Sequence, residues 1–155
     1  KNGAIIVSGL ADGLDSAGHR AAVKNDCPTI AVMGVPIDRT YPAANAALRQ
    51  KIERKAEDCY KAEYARRHLG ECYEGRISGV TQRGLFIELE NGVEGFVPAS
   101  SLTATGTMLT EGVRLSDPVS GKNWNLGDTM MITIVRADVN LGKIDFEVAP
   151  ESAKQ

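Results

Sequence analysis

Long apolar runs are missing from this sequence of 155 residues. None approaches the roughly 18 consecutive apolar residues that span a bilayer. The start, Lys1-Asn2-Gly3, also lacks the charged-then-apolar order of a signal peptide. These two absences predict a cytoplasmic protein that has no membrane partner.

Cysteine and histidine are too few and too scattered to predict a metal centre. Cys27, Cys59 and Cys72 have no paired spacing and are odd in number, which favours reduced thiols over disulfides. His19 and His68 have no cysteine or carboxylate at ligand spacing. No nucleophile with an adjacent base and no acid–base pair can be assembled from spacing. We therefore predict a protein without a metal, without a cofactor and without catalytic activity.

Excess positive charge is also missing, since the net charge is −2. A dedicated nucleic-acid-binding protein usually has a basic surface instead. Residues 1–50 carry 5 basic and 4 acidic groups, residues 51–72 carry 6 and 5, and residues 73–155 carry 7 and 11, a net of −4. Nucleic-acid binding by the C-terminal part must therefore depend on local cations and stacking rings.

The N-terminal part has the pattern of buried parallel strands joined by helices. Residues 4–7 and 29–34 are short apolar runs, typical of strands buried on both faces. Asp15 or Ser16 can cap a helix over residues 17–25, and a second helical pattern follows the next loop. The order β-α-β-α predicts one half of a doubly wound sheet.

The C-terminal part has the pattern of short strands around glycine bends. Residues 75–97 alternate around Gly84 and turn at Asn91-Gly92, a strong hairpin signal. Two further runs, residues 130–135 and 143–148, predict two more strands. Five short antiparallel strands with glycines at their bends close most simply into a small barrel of the oligonucleotide-binding (OB) type.

These patterns predict an α+β chain of four parts. Residues 1–52 form the partial doubly wound segment, residues 53–70 a connector helix, residues 71–149 the barrel and residues 150–155 a tail. The helical pattern runs from about residue 43 to residue 68, which would make a helix roughly 39 Å long at about 1.5 Å per residue.

The C-terminal motifs resemble those of a known family. They are Val80-x-x-x-Gly84-x-Phe86-Ile87, Glu94-Gly95-Phe96-Val97-x-x-Ser100, Leu126-Gly127-Asp128, and Asp138 with Lys143-Ile144. This set resembles the ribosomal S-one RNA-binding domain. The insertion over residues 108–125, with Trp124 as its expected anchor, and the helical segment before the barrel resemble bacterial ribonuclease R. The metal-binding aspartates of that enzyme's catalytic domain have no counterpart, so the resemblance implies RNA binding without phosphodiester hydrolysis.

The resemblance also implies which residues contact RNA. Phe86 matches the position whose ring stacks on a base, Lys143 stands where the family usually has arginine, and Asp138 matches the carboxylate that orients that cation. Arg83 replaces the usual aromatic residue and Pro98 the usual histidine. Each missing stack should cost about 1 to 3 kcal/mol, so we expect weak binding of single-stranded RNA.

Arg136 completes the expected contacting face, and Arg83 can partly compensate for the lost ring because guanidinium groups also stack on bases. The alternative for this face is that Phe86 is a core ring and that Arg83 and Lys143 are solvated.

The N-terminal motifs resemble a second family. They are Ser8-Gly9-Leu10-Ala11-x-Gly13-Leu14-Asp15-x-x-x-His19 and Thr29-Ile30-Ala31-Val32-x-Gly34-x-x-x-Asp38-x-x-Tyr41-Pro42. This set resembles the Rossmann-type core of the DNA-processing protein A family, which binds single-stranded DNA. Candidate anion-binding residues are Ser8, Gly9, Gly13 and Gly34, at the start of a helix. Asp12 and Pro36 depart from the family's usual arginine and second glycine, and the alternative is that the four residues only form turns.

The expected function is weak, non-catalytic binding of single-stranded RNA by the barrel. One alternative is a chimeric or engineered chain that folds without a ligand, since the two resemblances meet near residues 50–53 inside one helical pattern. A second alternative is binding of single-stranded DNA by the N-terminal segment. Half a doubly wound sheet leaves apolar faces and strand edges open, so we also predict a homo-oligomer that forms through this segment.

Overall fold

The structure, a computed structural model, describes residues 5–36, 38–103, 109–111 and 113–149. The chain divides into two compact units: residues 1–60 with 139–142, and residues 61–138 with 143–155. The predicted tail, residues 150–155, lies outside the described residues. No helix in the described part of the chain is both long and apolar enough to cross a membrane.

The first unit contains a parallel two-stranded sheet with a crossover helix. Strand β1 (Ile6–Ser8) pairs with β2 (Thr29–Ala31), and α1 (Leu14–Lys24) connects them. Parallel strands need such a crossover, because the chain leaves the first strand at one end of the sheet and must enter the second strand at the other end. The predicted β-α-β order is confirmed.

The start of α1 differs from the prediction. The helix begins at Leu14, and the residue before it is Gly13, which has φ 89° and supplies no side-chain cap. The Asp15 carboxylate instead accepts the Ala11 N–H (3.3 Å), and the Ser16 hydroxyl donates to the Gly13 carbonyl (3.2 Å). The predicted capping role of Asp15 or Ser16 was wrong because a positive-φ glycine makes the entry turn.

A second helix, α2 (Ala46–Arg67), follows a 3₁₀ turn over Ala43–Asn45. It has 22 residues, or about 33 Å at about 1.5 Å per residue, so the long helix is confirmed. Leu48 and Ile52 on this helix pack with Leu10 to form the small buried cluster of the first unit. Each of these three side chains is less than a tenth exposed.

The second unit holds eight strands and one helical turn among its described residues. They are β3 (Cys72–Thr81), β4 (Gly84–Leu89), β5 (Glu94–Pro98), α3 (Ala99–Leu102), β6 (Leu109–Glu111), β7 (Arg114–Ser116), β8 (Asn123–Asn125), β9 (Thr129–Asp138) and β10 (Lys143–Val148). Five of them close into a barrel in the order β10-β5-β4-β3-β9. The predicted five-stranded OB-type barrel is confirmed.

The barrel departs from the prediction at its closure. We expected five antiparallel strands, but β10 pairs in parallel with β5 and antiparallel with β9. The local turn signals define hairpins between neighbours in the chain, whereas the closing pair joins strands that are distant in sequence. Turn residues therefore cannot predict that the closing pair, β5 with β10, is parallel.

Alternating side chains fill the barrel. Phe146 is fully buried and lies against Gly95, where an added Cβ would come within 2.5 Å of the phenylalanine ring. Gly84 has φ 147°, and a Cβ there would lie 2.0 Å from the Val97 carbonyl oxygen. These two glycines let backbone and ring approach closely inside a narrow barrel.

The insertion between β5 and β9 contains a separate three-stranded antiparallel sheet, β6-β7-β8. The sequence predicts an insertion over residues 108–125 with Trp124 as its anchor and no strands within it, and Met108 at its start lies outside the described residues. Trp124 is half-buried and pairs with the fully buried Leu115. The buried Asp117 holds the following turn by accepting the Ser120 hydroxyl (2.5 Å) and the Val119 N–H (2.9 Å).

Candidate nucleic-acid interface

One row of residues crosses the outside of the barrel from strand to strand. Phe86 on β4 lies between the buried Leu85 and Ile87, so its ring points outward, and it is 38% exposed. Phe96 on β5 lies between the buried Gly95 and Val97 and points outward in the same way. Successive side chains of a strand alternate between faces, so the aromatic pair belongs to the outer surface.

The strand register extends this row on both sides of the rings. Phe86 pairs with Gly79 on β3 and with Phe96 on β5. Phe96 pairs with Asp145 on β10, and Asp145 pairs with Arg136 on β9. The outer row is therefore glycine, two phenylalanines, an aspartate and an arginine.

The two phenylalanine rings are in direct contact. Their centroids lie 5.2 Å apart with an interplanar angle of 55°, within the range of favourable aromatic pairs. Gly79 makes room for the pair, since a Cβ at this position would lie 3.2 Å from the Phe86 ring. The rings form one apolar platform, which we call the Phe86–Phe96 pair.

Phe96 is the residue that sequence reasoning missed. The hairpin turn at Asn91-Gly92 sets Glu88 opposite Glu94. Two residues earlier on β4 and two residues later on β5, Phe86 lies opposite Phe96. The signal was therefore present in the hairpin register.

Three predicted cations lie on the strands and the turn next to the pair in the barrel. Arg136 is exposed on β9, Lys143 is exposed at the start of β10, and Arg83 is exposed in the turn between β3 and β4. Lys143 is the register partner of Asp138. This pairing is what the predicted role of Asp138, to orient the Lys143 ammonium group, requires. The Ala99 N–H donates to the Arg83 carbonyl (2.8 Å), which ties that turn to the start of α3.

Carboxylates dominate the next row of the same surface. Glu88 and Glu94 are directly opposite each other on β4 and β5, and the Ser78 hydroxyl donates to Glu94 (2.8 Å). Farther along lies an open groove of about 780 Å³, lined by Tyr73, Glu74, Gly75, Arg76, Glu88, Leu89, Glu90, Asn91 and Thr129. Phosphates are disfavoured on this side of the rings because like charges repel.

Two of the four candidate anion-binding residues of the first unit, Ser8 and Gly9, lie beside the carboxylate of Asp15. The Asp15 side chain accepts the Ala11 N–H and lies 3.2 Å from the position that a Gly9 Cβ would occupy. The Ser8 hydroxyl, followed by the backbone N–H groups of Ala11 and Gly9, lowers the pKa of Asp15. Gly13 and Gly34 have open space around them. An incoming anion would have to compete with the ionised Asp15 for these donors.

Both histidines have protein partners. His19 is fully buried, and its Nδ1 lies 2.7 Å from the Thr29 hydroxyl, which itself donates to the Ile6 carbonyl (3.0 Å). The His68 Nδ1 lies 2.9 Å from a Glu71 carboxylate oxygen. Within the described ranges, no group of three or more His, Cys, Asp or Glu side chains could hold a metal ion.

A closed five-stranded barrel with an outward aromatic pair and nearby cations defines an oligonucleotide-binding module. The S1 RNA binding domain model matches residues 68–149, and the chain belongs to this family. A second family model, DNA recombination-mediator protein A, matches residues 1–71. Both resemblances inferred from the sequence motifs are confirmed.

Curated relatives also divide between the two parts of the chain. Ribonuclease R 1 of Lactococcus lactis is 42% identical over 99 residues, which cover 63% of this chain and 12% of the relative. The DNA processing protein DprA of Streptococcus pneumoniae is 50% identical over 52 residues, which cover 34% of this chain and 18% of the relative. The chain thus spans less than a fifth of the length of either protein.

Solved structures support the fold. The apo form of Mycoplasma genitalium RNase R superposes with a TM-score of 0.58 at 18% sequence identity, covering 66% of this chain and 17% of that one. The same protein in complex with ribose methylated single-stranded RNA gives the same values. At this identity the likeness establishes the fold alone.

Proposed function

We propose that the barrel binds single-stranded RNA weakly and that bases stack on the Phe86–Phe96 pair. The observation that carries this proposal is the contact between two outward phenylalanine rings on adjacent strands of the barrel. Base–aromatic stacking contributes about 1 to 3 kcal/mol per base and needs little else than an accessible ring face. Membership of the S-one family and the similarity to ribonuclease R support RNA as the ligand.

Charge accounts for the weakness of the proposed binding. Residues 73–155 have a net charge of −4, so the surface as a whole repels phosphates. Arg136, Lys143 and Arg83 supply the local positive charge around the rings, with Asp138 orienting Lys143. The phosphate backbone would run past these cations and away from the row of Glu88 and Glu94.

A titration of fluorescently labelled single-stranded RNA at low salt tests this function. Phe86→Ala should weaken binding by about 5- to 150-fold, which corresponds to the loss of one stacking ring at about 1 to 3 kcal/mol. Val135→Ala is the matched control, because Val135 is a similarly exposed apolar residue (41%) on a barrel strand. Equal affinities of wild type and Phe86→Ala would contradict the proposal. The same titration with single-stranded DNA examines the alternative ligand, and no binding of either would favour a chain that folds without a ligand.

The proposed function is binding without catalysis. The family models match an RNA-binding domain and a DNA-recombination segment, and the chain covers only 12% of the ribonuclease R relative. Incubation of labelled RNA with the purified protein and Mg²⁺ or Mn²⁺ should leave the RNA intact. Degradation that increases with protein purity would overturn this proposal.

We also infer that the first unit associates with the same unit of a second chain. Ile5, Val7, Ile30 and Val32 share one face of the β1–β2 sheet and are 51–64% exposed. Residues 1–50 are nearly neutral, with 5 basic and 4 acidic groups, so two copies would meet with little charge repulsion. Both outer edges of the two-stranded sheet are available to pair, because β1 and β2 pair only with each other among the described strands.

A further inference from the structure

We infer that the barrel face selects guanine among the bases that stack on it, because Asp145 accepts hydrogen bonds from the guanine edge. This inference rests on the proposed RNA binding and adds a base preference to it. Asp145 is the register partner of Phe96, and neighbouring strands lie about 4.8 Å apart. A base that covers Phe96 therefore brings its edge towards the Asp145 carboxylate.

The orientation of Asp145 follows from its neighbours on β10. Ile144 and Phe146 are both buried in the barrel core, so the side chain between them faces outward with the two rings. Asp145 is half-buried, which lowers the competition from water for its carboxylate oxygens. It lies in the row of the Phe86–Phe96 pair, whereas Glu88 and Glu94 lie in the next row.

The Asp145 carboxylate is available to a ligand. Its register partner on β9 is Arg136, yet the two side chains form no ion pair with each other. Neither side chain has a hydrogen bond or ion pair to any residue in the described ranges. The structure thus holds an ionisable acceptor and a guanidinium beside the aromatic platform, both with unused hydrogen-bonding capacity.

The chemistry of a carboxylate distinguishes the four bases. An ionised aspartate has acceptors only. Guanine presents two adjacent donors, N1–H and the N2 amino group, which match the two carboxylate oxygens. Adenine and cytosine present a single amino group on that edge. Uracil presents one N3–H between two carbonyl oxygens, which a carboxylate repels.

Arg136 has a different role in this arrangement. Guanidinium groups bind phosphate well, and Arg136 lies one strand beyond Asp145 on the outer surface. A nucleotide whose base stacks on Phe96 and contacts Asp145 would have its phosphate within the region of Arg136. The aspartate then selects the base and the arginine contributes affinity that is independent of sequence.

The test uses two labelled eight-nucleotide RNAs, oligouridine and the same oligomer with one central guanosine. For the wild-type protein, the guanosine oligomer should bind at least about fivefold more tightly, the lower end for a bidentate contact to a base. Asp145→Asn should bind both oligomers about equally, because an amide keeps only one acceptor. Glu147→Gln removes the same charge two residues along β10 and should leave the preference for guanosine unchanged.

Each other outcome is decisive. Equal binding of the two oligomers by the wild type, with Phe86→Ala still weaker, would overturn the base preference and leave RNA binding standing. Loss of the preference in Glu88→Gln but not in Asp145→Asn would overturn the assignment to Asp145. Failure of the wild type to bind either oligomer would overturn the proposed function itself. Binding of oligouridine by Asp145→Asn shows that this variant is folded.

Discussion

The two units of the chain differ in whether their strands have open edges and in how polar their exposed faces are. Every strand of the barrel has two neighbours, whereas β1 and β2 have only each other among the described strands. The outer face of the barrel is mainly polar around its aromatic pair, while the free face of the two-stranded sheet is apolar. Closure lets the barrel bury its core by itself, whereas the open two-stranded sheet leaves one apolar face exposed, which is why we propose that it associates with a second copy.

This contrast shows that an apolar residue can be exposed for two different structural reasons. On the barrel, Phe86 is exposed among polar neighbours and beside cations, which is typical of a ligand surface. On the sheet, Val7 and Ile30 are exposed beside other aliphatic residues, which is typical of a packing face without its second layer. Mutations in the two units should therefore have different effects on stability, association and binding.

The largest effect is expected from emptying the barrel core. Phe146→Ala removes a fully buried ring and should lower the free energy of unfolding by about 3 to 5 kcal/mol. Urea unfolding followed by the fluorescence of Trp124, the single tryptophan, measures the change. Leu48→Ala, in the smaller cluster of the first unit, should shift this transition less. A larger shift for Leu48→Ala would contradict the view that the barrel core contributes more to stability than the small cluster of the first unit.

The next effect compares one glycine from each unit. Gly84→Ala places a Cβ 2.0 Å from the Val97 carbonyl at φ 147° and should cost about 3 kcal/mol. Gly13→Ala adds a Cβ at φ 89° with nothing within 4 Å and should cost about 1 to 2 kcal/mol. Thermal unfolding of both variants checks the order. Equal costs would mean that the close approach in the barrel is relieved by backbone movement.

The sequence predicted the barrel better than the details around it. Alternation in residues 75–97 and the Asn91-Gly92 turn were sufficient for β3, β4 and β5 because hairpins depend on local signals. The sheet β6-β7-β8 was missed, since its three strands have only three residues each and cannot show a period of two. The parallel β5–β10 seam was missed because it joins segments that are far apart in sequence.

The candidate site was predicted only in part. Motif resemblance identified Phe86 with its nearby cations, and these remain the proposed contacts. It did not identify Phe96 or Asp145 as contacts, because the proposed binding role of each residue depends on which strand lies beside it. Register across two strands, and across the parallel seam, is a three-dimensional property that a motif does not contain.

A smaller effect is expected from the free face of the sheet. If two chains associate through this face, Val7→Lys should lower the mass measured by light scattering at micromolar concentration to that of one chain. The expected cause is the cost of burying an ammonium group at an apolar contact. Val135→Lys on the barrel is the control and should leave the mass unchanged. A monomeric wild-type protein would contradict the association.

The smallest effect concerns pH and the insertion. The Ser120 hydroxyl, followed by the Val119 N–H, holds the pKa of Asp117 below its usual value of 3.8. Because the folded pKa is the lower one, this stabilisation is present above about pH 4 and is lost as the pH falls through the folded value. Trp124 fluorescence between pH 5 and pH 2 should report the change. Asp117→Asn should remove that pH dependence, and an unaltered profile would contradict the role of Asp117.

A double-mutant cycle at the two rings tests the central claim most directly. RNA affinity is measured for wild type, Phe86→Ala, Phe96→Ala and the double variant under one low-salt condition. If the rings form one platform, each single change weakens binding and the double variant binds only slightly less tightly than Phe86→Ala. Fully additive losses would show two independent contacts, and unchanged affinity in all three variants would show that RNA does not bind at the Phe86–Phe96 pair.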